Sequence, residues 1–373
     1  VSLDAEITPG PHKAPWSLFN RAPARARIFN AIRERSTSGR MKAFAQIIYG
    51  RLAAASALLK RLDPAVVVVA EDGVSGPLAI IAAAQRAGIK VAVLPFGYGT
   101  QDDFDVALDA EAARGEVEQP TGPEGAAIRE HAREWIKTGK HAGALLFPAE
   151  YIAVLESADI RVRNAWVVHG GMADRICVES PQMMRLYESE GAPAGKLALT
   201  GSPYGDFVIE ALGVNPQARA AFRQARKISA GVTRILVSWP PSYHADRGAM
   251  SEFPTYQEMS KTLLDGLASL PNVQLTVSLH PAISPADREA IATYGVELSP
   301  RYVLELIPQH DIYVSYYSST IRWAIACGKP VLNYDAYKLA LPVYDAAPGV
   351  VTMTRAADVI ERAANLAKGA FRC

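Results

Sequence analysis

The stretch 311–335, DIYVSYYSSTIRWAIACGKPVLNYD, leaves this chain few ways to fold. It opens with a short apolar run at 312–314 and breaks into Ser318-Ser319-Thr320. A helical pattern follows, with Ile321, Ala324, Ile325 and Cys327 on or near one face, and Gly328 and Pro330 stop it. A second apolar run occupies 330–333. Strand, hydroxyl-rich turn, helix, glycine stop and strand predict one right-handed βαβ unit, because parallel strands need a crossover. Three hydroxyl residues at the start of a helix have two readings. They cap its free N–H groups, or those groups and the hydroxyls bind a phosphate.

The same rhythm runs through most of the chain. Residues 1–16, with Pro9, Pro11 and Pro15, read as an extended lead-in, and helical patterns follow at 17–35 and 40–62. The run AVVVVA at 65–70 is continuously apolar, as a parallel strand covered on both sides should be. It passes into Glu71-Asp72-Gly73, a helix at 78–87 and a strand at 90–94. After the glycine-rich acidic loop FGYGTQDDFD come mainly helical sequence to about 155, apolar runs at 166–169 and 176–178, a helix at 181–191 and a strand near 196–200. The polar, basic stretch 213–232 reads as the inter-domain linker. The second half predicts strands at 234–238, 273–279, 296–298 and 350–353, helices near 254–269 and 302–309, and an amphipathic last helix at 356–368. The expected organisation is α/β: two Rossmann-like domains, 1–215 and 233–355, facing a cleft at their strands' carboxyl ends, and a terminal segment 356–373 that crosses back.

Composition narrows the function classes. At 373 residues the chain is long enough for two domains, and a formal net charge of +1 gives no electrostatic argument for nucleic acid. Cys177, Cys327 and Cys373 form no CxxC pair, which suits a reducing cytoplasm and argues against zinc or a disulfide framework. No apolar run reaches the roughly 18–20 residues that span a bilayer. The chain starts at Val1, which suggests a trimmed start. Arg21, Arg25, Arg27, Arg33 and Arg35 make the first helix basic. It reads as a solvated face, with contact to an acidic membrane surface as the alternative.

Three constellations follow predicted strands, the edge that faces ligand in open α/β sheets. The carboxylates of Glu71-Asp72 could take a proton from a hydroxyl; otherwise they make a turn and an N-cap. The imidazole of His280, stiffened by Pro281, could donate to a phosphate; otherwise it is a sheet-edge histidine. Ser318-Ser319 is the third. The acid lies in the first half and the other two in the second, and the three together signal more than any one.

At these residues the chain resembles a family. VSLHP, then YYSSTIRWAIACGKPVLNYD, is similar to the nucleotide-binding domain of glycosyltransferases with the two-Rossmann GT-B architecture. DRICVESPQMMRLYESEGAPAGKLALTGSPYGD resembles the end of the N-terminal domain in bacterial envelope-polymer transferases and UDP-N-acetylglucosamine 2-epimerases. The acid, His-Pro and Ser-Ser trio is similar to bacterial sialyltransferases and Kdo or capsule transferases that use CMP-sugars. The resemblance implies Asp72 as general base with Glu71 beside it, and His280, Pro281, Ser318, Ser319 and Thr320 at the donor phosphate. His244 and Arg247 lie where related enzymes contact phosphate. Glu297 and Glu305 compete for the nucleotide ribose, and Gly73, Tyr98 and Asp102 for the acceptor side. Asp103 and Asp105 form a DFD in a loop, and no metal is expected. His169 before Gly170-Gly171 reads as a structural turn. The implied activity is inverting transfer of a sugar from a CMP- or UDP-linked donor to an envelope glycan, lipid-linked or protein acceptor. It would proceed without a further cofactor, in the cytoplasm or at the inner face of its membrane. The alternatives are a nucleotide-sugar 2-epimerase and a non-catalytic nucleotide-sugar-binding domain.

Overall fold

The computed structural model describes residues 23–95, 101–212, 231–344 and 347–369. Tyr98, Arg21, the 1–16 lead-in and nearly all of the expected linker lie outside them. The chain forms two compact units that divide between Gly201 and Ser202.

The first unit opens with helices α1 (Ala24–Arg35) and α2 (Gly39–Leu62). Ser38 caps α2 by accepting from the Met41 N–H at 3.4 Å. Strand β1 (Val66–Val69) leads through α3 (Leu78–Arg86) to β2 (Lys90–Val93). Helices α4 (Gln101–Arg114), α5 (Gly122–His131) and α6 (Ala149–Ser157) precede β3 (Arg175–Val178), α7 (Pro181–Ser189) and β4 (Leu197–Leu199). The four strands among the described residues are parallel, in the order β1-β2-β3-β4. Two expectations fail here. The run at 65–70 is an edge strand covered on one face only: Val67 and Val69 are buried, whereas Val66 and Val68 are 48% and 58% exposed. Residues 101–105 begin a helix rather than continue a loop, which places Asp102 and the DFD on α4.

The basic first helix is not simply a solvated face. Phe29, Ala26 and Asn30 are buried, and Arg25 turns inward to Glu156 and Glu134 on neighbouring elements. Asn30 Nδ2 donates to the Ser157 carbonyl at 3.1 Å, so polar bonds as well as apolar contacts hold α1 against α6.

The second unit holds α8 (Pro203–Leu212), β5 (Thr233–Trp239), the short α9 (His244–Arg247), α10 (Tyr256–Ala268) and β6 (Val273–Leu279). After these come α11 (Pro285–Ala292), β7 (Glu297–Leu298), α12 (Val303–Leu306), β8 (Ile312–Ser315), α13 (Ile321–Ala326), β9 (Val331–Tyr334), β10 (Val350–Met353) and α14 (Ala356–Gly369). Among the described residues its six parallel strands run β10-β9-β8-β5-β6-β7. The chain therefore starts at the centre, builds outward to β7, then returns to the other side of β5. This is the dinucleotide-fold order, and the direction of winding reverses between β5 and β8. The expected βαβ unit at 311–335 is β8-α13-β9, with Ile321 and Ala324 fully buried.

Helix α8 packs within this unit: Val208 is buried in a cluster with Leu236, Leu304 and Tyr313, and the Tyr204 ring lies 4.9 Å from that of Trp323. The division at Gly201/Ser202 thus falls before the expected linker. The terminal helix α14 packs on α10, β9 and β10 of the same unit, with Val359 and Ala363 fully buried.

Candidate functional site

In a sheet wound this way, the loops leaving the carboxyl ends of the two strands at the reversal flank a crevice. The β5 loop carries Tyr243, His244 and Arg247, and the β8 loop carries Tyr316 and Tyr317. The structure joins them. Arg247 Nη1 donates to Tyr316 Oη at 3.4 Å, and its guanidinium lies 5.2 Å from the centre of the Tyr243 ring. Arg247 is half-buried and has no carboxylate partner among the described residues. His244 is fixed at both ring nitrogens, Nδ1 at 2.8 Å from Tyr337 Oη and Nε2 at 3.2 Å from the Phe253 carbonyl. It therefore braces the loop instead of facing a ligand. Burial pushes the Tyr337 phenol up to about 12 and raises that of Tyr316, so both stay protonated at neutral pH.

His280 follows β6, the neighbour of β5, and its N–H donates to the Trp239 carbonyl at 2.9 Å. Its Nδ1 accepts from the Ala282 N–H at 3.1 Å, which leaves the proton on Nε2. Burial lowers the histidine's pKa, so the neutral ring donates through an exposed Nε2–H. Pro281 is an exposed turn residue.

The hydroxyl turn is less open than expected. Ser318 Oγ lies 2.7 Å from Thr320 Oγ1 and accepts from the Thr320 N–H at 3.2 Å. Thr320 Oγ1 is also bonded to buried Tyr313 Oη. These two hydroxyls close the turn on itself, and only Ser319 has a hydroxyl without a partner among the described residues. The helix behind it spans six residues, so it contributes little dipole. Tyr317, at φ +36°, is held by an N–H bond of 2.8 Å to Asn333 Oδ1. Asp335, buried after β9, accepts from the Leu339 and Ala340 N–H groups at 3.0 and 2.9 Å.

Neither ribose candidate sits on this edge. Glu297 pairs with Thr276 in the middle of β6 and accepts from Gln274 at 3.3 Å. Glu305 is on α12, before β8 begins, and is ion-paired to Arg301 at 3.0 Å.

The largest correction concerns Asp72. It is fully buried, accepting at Oδ2 from the Ala173 N–H at 2.8 Å and from Lys196 Nζ at 3.0 Å. The same ammonium donates to the carbonyls of Gly171 and His169 at 3.0 and 3.4 Å. His169 is buried with φ +61°, its Nδ1 3.7 Å from Asp72 Oδ1, and burial pushes its pKa down to about 4. The close approach explains the glycine at 171: a Cβ there would sit 1.5 Å from the Asp72 carbonyl oxygen, whereas one on Gly73 would make only ordinary contact, 3.5 Å from the His169 backbone nitrogen. A carboxylate so enclosed cannot reach an acceptor. Glu71 is the half-buried member of the pair; burial first, and the Asp72 charge second, raise its pKa. Gly73, half-buried, lies beside the backbone of Val167 and His169.

On α4, Asp105 is ion-paired to buried Lys137 at 2.9 Å, which accounts for one end of the DFD. Among the described residues no group of three or more His, Cys, Asp or Glu is placed to hold a metal ion. No described helix is long and apolar enough to cross a membrane.

No protein-family model matches the sequence, and no curated protein does. Solved structures similar in fold include the UDP-GlcNAc 2-epimerase of Neisseria meningitidis bound to UDP-GlcNAc, at 16% identity and a TM-score of 0.48, over 88% of this chain and 81% of that one. The UDP-GlcNAc 2-epimerase of Methanocaldococcus jannaschii matches at 12% identity and a TM-score of 0.45, over 86% and 74%. A wall teichoic acid polymerase matches at 16% identity and a TM-score of 0.38, over 52% and 50%. Likeness this distant leaves function to the site's own chemistry.

Proposed function

We propose that the second unit binds the phosphate of a nucleotide-linked sugar at the carboxyl edge of its sheet, and that the protein acts on the sugar. Arg247 carries the reading. A guanidinium half-removed from water, stacked on Tyr243 and without a carboxylate partner among the described residues, stands at the winding reversal, where phosphate oxygens match its planar fork. The His280 Nε2–H and the Ser319 hydroxyl, on the loops of adjoining strands, supply neutral donors.

The reaction favoured is epimerisation of a nucleotide-sugar, with Glu71 as the acid–base carboxyl of the first unit. The CMP-sugar transferase reading uses Asp72 as base and His280, Ser318 and Ser319 at the phosphate, and both Asp72 and Ser318 are engaged internally. An epimerase needs a held nucleotide and acid–base groups but no acceptor. Transfer to a glycan, lipid-linked or protein acceptor is the second reading, with Glu71 as base.

Calorimetry with UDP, CMP and GDP tests the binding. Arg247→Ala removes a charged hydrogen-bonding group, each such bond contributing about 1.5–3 kcal/mol, so affinity should fall about tenfold or more. If no nucleotide binds, or if Arg247→Ala binds as the wild type does, the site is elsewhere. Incubation with UDP-sugars separates the reactions: an epimer formed without acceptor supports the first, and nucleotide released only with acceptor supports the second.

A further inference from the structure

One buried lysine joins three parts of the first unit. Lys196 is 5% exposed, yet it is a cation, and its three N–H bonds are matched by three acceptors: Asp72 Oδ2, the Gly171 carbonyl and the His169 carbonyl. Burial lowers its pKa, while the Asp72 charge and hydrogen bond oppose that shift. A neutral amine would offer only two protons to these three oxygens, so the geometry selects the ammonium. The carboxylate it meets lies directly after Glu71, and the turn it meets is the one pressed against Asp72 through Gly171. Lys196, at the head of β4, thus ties the end of β1 to the 169–173 turn that precedes β3.

We propose that Lys196 is a positioning residue, whose ammonium, acting through Asp72, holds the turn that presents Glu71. This rests on the reading of Glu71 as the acid–base carboxyl. The charged and titratable groups facing Asp72 are Lys196 and His169, and the group facing Glu71 is Asp72. Glu71 is half-buried beside the fully buried Asp72, so the buried carboxyl can be clamped while its neighbour stays open to solvent.

The test compares Asp72→Asn with the double variant Asp72→Asn/Lys196→Met. The asparagine oxygen can accept both bonds made by Oδ2, so the first variant removes the carboxylate charge while Lys196 keeps its three oxygen acceptors. In the second the clamp is gone without leaving a buried charge. With no ligand present, carbon NMR titration of Glu71 should move toward its ordinary value in Asp72→Asn, because the like charge has gone. Amide exchange of Ala173 should stay slow in that variant and quicken at least tenfold in the double one. With UDP-sugar, the rising limb of the pH–rate profile should shift to lower pH in Asp72→Asn. In the double variant kcat should fall roughly 10²-fold, the order that displacement by about 1 Å produces, with KM little changed. Equal Ala173 exchange in the two variants would overturn the proposal. So would loss of turnover in Asp72→Asn with Ala173 still protected, since Asp72 would then be the base. The exchange and titration arms need no substrate, so they judge the clamp even if nucleotide binding fails.

Discussion

Replacing Arg25 by methionine tests how the first unit is held together. Arg25 Nε and Nη2 donate to the two carboxylate oxygens of Glu156 at 2.7 and 2.6 Å, and Nη2 also bonds Glu134. The Trp135 indole N–H donates to Glu156 at 2.7 Å. Burial raises the pKa of Glu156 and the Arg25 bonds pull it back only in part; burial lowers that of Arg25, and the two carboxylates more than restore it. The two partners thus point opposite ways on whether the charged pair is favoured, and the bidentate geometry decides for it. Methionine keeps the apolar stem and leaves a carboxylate with 0% side-chain exposure and one donor. Breaking a buried pair in this way costs about 3–5 kcal/mol. Arg25 retains 22% of its side-chain exposure, so water screens part of the pair and the lower end, about 3 kcal/mol, is expected. Without Arg25 the Glu156 carboxyl titrates higher still and takes up a proton as pH falls. The loss should therefore be largest near pH 8 and shrink toward pH 5. Urea unfolding followed by tryptophan fluorescence should be run on the wild type, Arg25→Met, Glu156→Gln and the pair together. The double variant should recover most of the loss. A loss below about 1 kcal/mol, or one independent of pH, would refute the assignment of a buried ion pair.

Two further outcomes are expected. Gly171→Ala would drive a Cβ to within 1.5 Å of the Asp72 carbonyl oxygen, so it should destabilise the first unit by about 3 kcal/mol or more, read from urea midpoints. His169 and His310 are both pushed by burial from 6.5 to about 4, and they lie in different units. A histidine depressed on folding binds its proton more readily when unfolded, so stability is full above about pH 6.5 and is lost as pH falls toward 4. Each histidine should account for up to roughly 3 kcal/mol at the acid end. His310→Gln should flatten this slope in the second unit, and an unchanged slope would show that other groups carry it.

Much of the fold could be read where signals are local. Strand β6 coincides with the expected 273–279, β10 with 350–353, and the glycine stop at Gly328 ends α13 as it should. The failures involve partners far away in sequence. Arg25 looks like surface charge until Glu156, 131 residues on, is placed beside it. Asp72 reads as a base because nothing nearby shows that Lys196, 124 residues later, will neutralise it. The tight glycine pair after His169 was the available hint, since close backbone approach is what glycine permits. On the second unit, Arg247 could be picked out from its place after the first strand, but its tyrosine frame could not. Tyr316 lies 69 residues further along.

The winding of the second sheet also bears on when the site can exist. Its central strand is made first, yet one flank pairs with β8 only after the chain has gone out to β7 and back: the Arg234 N–H meets Asp311 Oδ2 across 77 residues. Closing a loop of that length is slow compared with forming the helices inside it. Arg247 stands on one side of that closure and Tyr316 on the other. A refolding chain should therefore regain most of its helix well before it can hold a phosphate, and ligand capture would report the last strand pairing rather than the first collapse.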